Sequence, residues 1–306
     1  MFCSTIIPTL GRATLARAVN SVLDQKLSEG RFEVIVVNDS GRELPAAEWQ
    51  QSPMLQVVST WRRERCVARN TGAAIARGEY LLFLDDDDWL LPGALERLCL
   101  LAKQKSEAAW LYGSVRIVDE EDNCLARPFL GMDGNCFTQT MAGEWIPLQA
   151  SAIRSNAFFA VGGFDPHLAA AEDVDLARRI AHLGDFACTA NDLACVQRGA
   201  TWVTSSDWAR HNENSRRARE GILNSTDTLT RMLKSAPSPY WHGRIVRAYW
   251  SSALWNIQHR DVFTAIGRGA LGLWSFALAG RYVAARSFWR ATGRAHVWTT
   301  RNDSSD

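Results

Sequence analysis

Through the first hundred residues, short apolar runs rich in β-branched residues alternate with segments of helical period, and few folds accommodate that order. Residues 3–7 read as a strand ended by Pro8, and 13–25 as a helix with Leu15, Val19, Val22 and Leu23 on one face. A second strand is expected over 32–37, closed by the turn-like Asn38-Asp39-Ser40-Gly41, and a third over 55–59. Residues 65–76 then read as a helix stopped by Gly78, feeding a fourth apolar run at 81–84. Strand–helix–strand order at this pace implies right-handed crossovers. The expected fold class is α/β, with a Rossmann-like, mostly parallel sheet flanked by helices.

The fourth run ends in Asp85-Asp86-Asp87-Asp88-Trp89. Four adjacent carboxylates repel one another, so folding alone gives little reason to gather them at a strand end. A divalent cation relieves that repulsion, and the carboxyl end of a strand in an open α/β sheet is where ligands bind. An isolated acidic run is more often a solvated turn; its place after a buried strand favours a ligand site.

With 306 residues, 47% apolar and 22% charged, the composition is that of a globular protein with room for a large domain and an appendage. Residues 219–306 hold 12 Lys/Arg against 5 Asp/Glu, a balance of +7, while 1–218 hold 22 against 28, a balance of −6. An acidic body with a basic tail suits an enzyme working near an anionic surface. No basic cluster or nucleic-acid motif accompanies the charge, so nucleic acid is not expected as a partner. The seven cysteines are scattered without a CxxC pair, which disfavours a zinc knuckle or disulfide framework and favours reduced thiols in the cytosol. The opening residues run straight into the first strand, and no secretory leader is expected in them.

From about 110 to 205 the pattern is mixed, with a strand expected over 111–118 and a helix over 174–182 introduced by Glu172 and Asp173. Beyond about 219 it turns helical, with Trp241, Ile245, Tyr249, Trp250, Leu254 and Ile257 on one face. Six of the thirteen tryptophans lie in this tail. Its most apolar stretch, 269–280, sits between Arg268 and Arg281 and falls short of the ~20 residues that span a bilayer. It reads as a buried core helix, with an interfacial amphipathic helix as the alternative.

Several separated motifs together resemble one family. Ser4-Thr5-Ile6-Ile7-Pro8-Thr9, with Ala18-Val19-Asn20-Ser21 after it, is similar to that family's first strand and helix. Val36-Val37-Asn38-Asp39-Ser40 resembles its second-strand motif, with Asn38 where an aspartate is usual, and Arg69-Asn70-Thr71-Gly72 resembles the segment before its acidic motif. Phe83-Leu84-Asp85-Asp86-Asp87 matches an Asp-x-Asp motif; Val161-Gly162-Gly163-Phe164-Asp165 and Glu172-Asp173 match a glycine loop and a Glu-Asp pair. Over residues 2–215 the chain thus resembles a family 2 glycosyltransferase of the GT-A fold.

The resemblance implies an inverting, metal-dependent enzyme moving a sugar from a nucleotide-sugar donor, the UDP form being expected, to a hydroxyl acceptor. That acceptor would be a carbohydrate or lipid-linked, in polysaccharide or glycolipid synthesis. It implies Mn2+ or Mg2+ on Asp87 with help from His211, Asp85 and Asp86 at the donor, and Arg69 near its phosphates. Asp39 would accept from a base N–H, Pro8 and Thr9 would shape the loop under the base, and Gly162 and Gly163 would let backbone approach the donor. Asp173, beside Glu172, would be the general base; Trp89 and Trp145 would stack on sugar faces or belong to the core. From the residues alone, Arg69 also reads as a solvated helix arginine, Asp39 as an Asx-turn, Glu172 and Asp173 as a helix start and His211 as a packing residue. A catalytically inactive, GT-A-like nucleotide-sugar-binding module is the alternative. A nucleotidyltransferase would need a glycine-rich basic loop after the first strand, of which Gly11-Arg12 is a faint echo. The expected division is a GT-A domain over 1–218 and a helical, Trp-rich basic region over 219–306. That region would dock on the body, form a homodimer, or rest on the inner face of the cell membrane as a peripheral contact.

Overall fold

The computed structural model describes residues 2–61, 64–198 and 205–293, with backbone alone over 205–210. The strands are β1 (Cys3–Thr9), β2 (Phe32–Asn38), β3 (Leu55–Ser59), β4 (Tyr80–Phe83), β5 (Trp89–Leu90), β6 (Trp110–Val118), β7 (Cys124–Ala126), β8 (Ser151–Arg154) and β9 (Phe186–Gln197). Among the described residues they form one sheet in the order β3-β2-β1-β4-β8-β6-β9-β5, with β7 on β6. Pairing is parallel from β3 to β4, the region where the sequence alternates. Beyond it β8 runs antiparallel to both β4 and β6, and β6 is parallel to β9. The α/β class holds, with consecutive parallel neighbours in the first half and β6–β9 as a further parallel pair in the second.

The central strands are continuously apolar because both faces are covered. Val34 and Val36 of β2 point into one core with Leu15 and Val19 of α1 (Leu15–Leu23), while Ile35 and Val37 point into the other. The second core takes Cys66, Ala68 and Ala73 from α2 (Arg65–Ile75). Gly72 sets how closely α2 approaches, since a Cβ there would lie 2.5 Å from Ile6 Cγ2 and 3.0 Å from Val37 Cγ2. Strand β1 does not end at Pro8 but runs through it to Thr9. The pairing of β1 with β4 stops at Ile6, so Pro8 lies where that side of β1 is already open and removes no ladder bond.

Three helices frame the middle: α3 (Ala94–Gln104), α4 (Phe137–Met141) and α5 (Ser155–Ala160). They are followed by α6 (Glu172–Ala181), α7 (Ser205–Leu223), α8 (Thr228–Ser235), α9 (Pro239–Gln258), α10 (Val262–Ala279) and α11 (Arg286–Gly293). Helix α7 crosses position 218 without a break. Leu229, Met232, Ile245 and Tyr249 of the helical region share a core with Phe137, Met141 and Leu176. The expected apolar face of α9 divides: Ile245 and Tyr249 are buried, whereas Trp250, Leu254 and Ile257 are exposed. The apolar stretch 269–280 belongs to a longer helix than its composition suggested, and the expectation of a buried core helix fails. Leu273, Trp274 and Leu278 are exposed, and the buried positions of α10 are Ala265, Arg268, Gly272, Ser275 and Ala279. By length and composition alone, Val262–Ala284 could cross a bilayer.

A polar lock closes the start of the sheet. Buried Glu33 of β2 accepts hydrogen bonds from Ser4 Oγ (2.6 Å), the Arg77 amide (2.8 Å) and the Arg77 guanidinium (2.6 Å). Burial works against the Glu33 charge, but the hydrogen bonds from Arg77 and Ser4 outweigh it and hold the carboxyl below its ordinary range. Its contribution to stability is therefore complete above the unfolded value of about 4.3 and is lost as pH falls through the depressed folded value. Glu33→Gln is expected to cost about 2 kcal/mol in urea unfolding at pH 7 and progressively less in strong acid. Equal loss at all pH values would show that the charge is not what matters.

Candidate active site

The carboxyl ends of β1, β2 and β4 open onto a cavity of about 980 Å³. After Phe83 the chain makes one last sheet bond, from the Leu84 amide to the Ile6 carbonyl, and then turns through the four aspartates with the Asp88 amide on the Asp85 carbonyl. The turn points the four carboxylates to different partners. Asp85 accepts from Arg69 Nη2 (2.5 Å) and Gln149 Nε2 (3.2 Å). Asp86 accepts from Thr9 Oγ1 (2.6 Å) and Arg12 Nη1 (3.1 Å), and Asp87 from the same Arg12 nitrogen at 2.6 Å. Asp88 accepts from the Gln197 amide (2.9 Å) with one oxygen, while its other oxygen is buried without a hydrogen-bond partner.

These environments push the groups apart. Burial opposes the charge on Asp85, but the Arg69 guanidinium overrides it and holds that carboxyl below the usual range. Burial and then the Asp85 charge raise Asp87, against Arg12, and raise Asp88 well above an ordinary aspartate. Carboxylate oxygens of Asp85, Asp87 and Asp88 lie within 4.8 Å of one another. The clustered oxygens, together with the unpartnered Asp88 oxygen, fit a hard divalent cation.

The facing wall is the start of α6. Ala171, in the left-handed region at φ 61°, turns the chain so that Glu172 and Asp173 open the helix beside the cavity. Glu172 Oε1 accepts from Arg69 Nη1 (2.9 Å) and forms an ion pair with Arg65, whose Nε lies 3.1 Å away. Asp173 accepts from Trp145 Nε1 (3.0 Å) and from the Val174 amide (2.8 Å). Burial and the Glu172 charge raise Asp173 above its ordinary value, partly offset by His211. Arg178 on the buried side of α6 donates to the Thr140 carbonyl (3.1 Å) and the Ser215 carbonyl (2.6 Å), fixing α7 and its His211 beside α6.

Residues 4–165 match the description Glycosyl transferase family 2, more than half of the chain. The chain belongs to this family. An uncharacterized glycosyltransferase of Haemophilus influenzae is 27% identical over 175 residues, 56% of this chain and 59% of that protein. The poly(ribitol-phosphate) β-N-acetylglucosaminyltransferase TarP of Staphylococcus aureus is 31% identical over 109 residues, 34% of this chain and 33% of TarP. The matches thus span less than two thirds of either relative's length. Among solved structures, S. aureus TarS 1–349 in complex with UDP-GlcNAc aligns with a TM-score of 0.61 at 14% identity, covering 88% of this chain and 91% of that one. The likeness establishes a GT-A glycosyltransferase fold.

Of the residues singled out in the sequence, Pro8, Thr9, Asp39, Arg69, Asp85, Asp86, Asp87, Glu172, Asp173 and His211 all line this one cavity. Several sit differently from expectation. Arg69 is 2% exposed and committed to Asp85 and Glu172, so its charge braces the site instead of lying open to phosphates. His211 is not part of the metal-competent group found among the described residues, and its influence falls on Asp173. Asp39 accepts from Thr60 Oγ1 (2.6 Å) and the Glu64 amide (3.2 Å); the Asx-turn belongs to Asn38, which accepts from the Ser40 amide and donates Nδ2 to the Arg42 carbonyl. An aspartate at 38 could not make that second bond.

Gly162 and Gly163 lie outside the cavity lining, and it is Gly163 that is closely packed. A Cβ on Gly163 would meet Asn70 Oδ1 at 2.7 Å, and Asn70 bonds both the amide and the carbonyl of Phe164. Trp89 is also outside, with the Arg17 guanidinium 3.2 Å from its ring centroid. Trp145 does line the cavity, yet its ring N–H serves Asp173. Sequence reasoning missed Arg12, Glu144, Gln149 and Arg198 in the cavity and the role of Asp88. Only the length of the acidic run pointed to Asp88. Burial raises the Glu144 carboxyl, against Arg244, a consequence of packing that no local motif encodes. Arg69→Met would strand the buried Glu172 and the Asp85 carboxylate, and is expected to lower stability by about 3 kcal/mol in thermal unfolding. A loss below about 0.5 kcal/mol would show that solvent replaces the guanidinium.

Proposed function

We propose that this glycosyltransferase moves a sugar from a UDP-sugar to an acceptor hydroxyl by a single displacement with inversion. The observation that carries this reading is Asp173, a carboxylate in the same cavity as the acidic run, oriented by Trp145 and the Val174 amide. In this scheme Asp173 takes the proton of the acceptor hydroxyl as the acceptor oxygen bonds to the anomeric carbon. The bond from that carbon to the diphosphate oxygen breaks, and its electron pair leaves with UDP. The raised Asp173 carboxyl is a stronger base than an ordinary aspartate, which suits work nearer neutral pH. Trp145 is a positioning residue, acting through Asp173. UDP-GlcNAc in TarS and the N-acetylglucosaminyl transfer named for TarP support a UDP-sugar as donor.

Asp85, Asp87 and Asp88 would hold Mn2+ or Mg2+, which supplies Lewis-acid neutralisation of the departing diphosphate. Arg12 and Arg198 bring the chain's own positive charge to the same cavity, and Asp86 and Thr9 hold the loop that carries Arg12. Pro8, Thr9 and Asp39 would receive the nucleotide at the ends of β1 and β2. The acceptor is a carbohydrate or a lipid-linked glycan, in polysaccharide or glycolipid synthesis, and the work is done in the cytoplasm, where the donor is made. Residues 1–218 carry the transfer chemistry, and 219–306 would serve the acceptor side.

Incubation with UDP-, GDP-, dTDP- and CDP-sugars, with Mn2+, Mg2+ or EDTA, is expected to release nucleotide from a UDP-sugar alone, and only with metal. Silence across the panel together with no metal-dependent nucleotide binding would sink the reading. Asp173→Asn should lower kcat ~10²–10⁴-fold while leaving the Kd for UDP unchanged, checked by single-turnover assay and calorimetry. Because a base must be deprotonated, activity should fall as pH drops through the Asp173 value. Removing the Trp145 N–H takes away a hydrogen bond that favours the charged carboxylate. The acid limb of kcat in Trp145→Phe should therefore move to higher pH; an unmoved limb would assign it to another group.

A further inference from the structure

Helix α10 is amphipathic in the wrong sense for a helix on a soluble body. The face it buries carries Ala265, Arg268, Gly272, Ser275 and Ala279, all small or polar. The face it exposes carries Val262, Phe263, Ile266, Leu273, Trp274 and Leu278, with Phe263 91% and Ile266 66% exposed. Trp250, Leu254 and Ile257 of α9 are exposed on the neighbouring helix, where the Trp250 ring lies against Gly272. Exposed apolar area this continuous marks an interaction surface.

The inward face is held in place by polar chemistry. Arg268 donates to the Leu223 carbonyl and to Asn224 Oδ1, each at 2.6 Å, and stands 3.5 Å from Glu220. Glu220 also accepts from Ser252 Oγ (2.6 Å) and Asn256 Nδ2 (3.1 Å) of α9. Although Val262–Ala284 is long enough to cross a bilayer, spanning would pull Arg268 from these partners into hydrocarbon, at high cost. The helix is therefore built to stay on the protein with its apolar face turned outward.

The charge around that face selects the occupant. Between Pro239 and Gly293 the chain has seven arginines and a single acidic residue, Asp261. Arg260, Arg281, Arg286 and Arg290 are exposed, and Trp289 of α11 is exposed beside Arg290. Tryptophan and arginine around an apolar face suit the headgroup boundary, where rings and guanidinium groups meet lipid phosphates. A two-fold contact between copies of this chain through the same face would set the same arginines against one another with almost no carboxylate to answer them.

We propose that the outer face of α9 and α10, rimmed by the arginines of α10's ends and α11, docks on an anionic lipid bilayer, lying in its interface without crossing it. The surface is joined to the active site through α9, whose Arg244 donates to the Ala142 carbonyl, next to the cavity residues Gly143, Glu144 and Trp145. A lipid-borne acceptor would thus meet the cavity from a fixed side.

Flotation of the full chain with vesicles tests this. Phosphatidylcholine vesicles containing phosphatidylglycerol should carry the protein at low salt, and pure phosphatidylcholine at least tenfold less. Arg281→Gln and Arg290→Gln should each weaken binding about fivefold. The double substitution Phe263→Glu with Trp274→Glu should abolish it while donor hydrolysis and the melting temperature stay unchanged. Absence of flotation at low salt, or equal flotation of the double variant, would overturn the proposal. A lipid-free dimer by light scattering that the same substitutions split would assign the face to a second copy and overturn it too. Vesicle binding is read without sugar transfer, so its failure would leave the catalytic reading standing.

Discussion

One guanidinium joins the two walls of the cavity. Arg69 reaches Asp85 at the end of β4 with one nitrogen and Glu172 at the start of α6 with another, and it is almost wholly buried. A buried arginine is tolerable only with such partners, and the buried Glu172 carboxylate only with such a cation. The three charges therefore specify one another's positions, and through them the acidic run and Asp173 come to face a common space. Neither wall has this geometry by itself. The α6 start needs the ion pair as well because Ala171 adopts a left-handed conformation that a non-glycine residue holds only under constraint.

With Asp85 satisfied, the electrostatic strain falls on its neighbours. Asp87 and Asp88 carry the burden of burial and of the Asp85 charge, and Arg12 offsets part of it from the loop after β1. An arginine on a loop half open to solvent can exchange partners; one buried as Arg69 is cannot. The cavity thus separates charges that set its shape from charges free to answer a ligand.

The parallel half of the fold is legible in the chain because each strand there is buried on both faces and each crossover helix has one apolar side. Strand β3 lies where it was expected, over 55–59, and β2 extends the expected run by one residue. Much of the cavity is equally legible, since its residues follow strand ends in sequence and strand ends meet at one edge of a parallel sheet. What cannot be read locally is which partner each side chain takes. Arg69 and Gly163 look like ligand contacts in sequence, and only tertiary packing reveals a brace in the first and close packing on the Asn70–Phe164 clasp in the second. Helix α10 fails for the opposite reason: hydropathy counts apolar residues without telling which way they face, and there the polar side is the one turned inward.

The family match ends at residue 165, yet Leu229, Met232, Ile245 and Tyr249 complete a core begun by β1, β2 and β4, and α7 passes from the cavity into the helical region as one uninterrupted rod. The two parts consequently share one hydrophobic core. Grafting a different tail onto this body would mean recutting an interior surface, so the helical region and the cavity it helps to frame are constrained to diverge together.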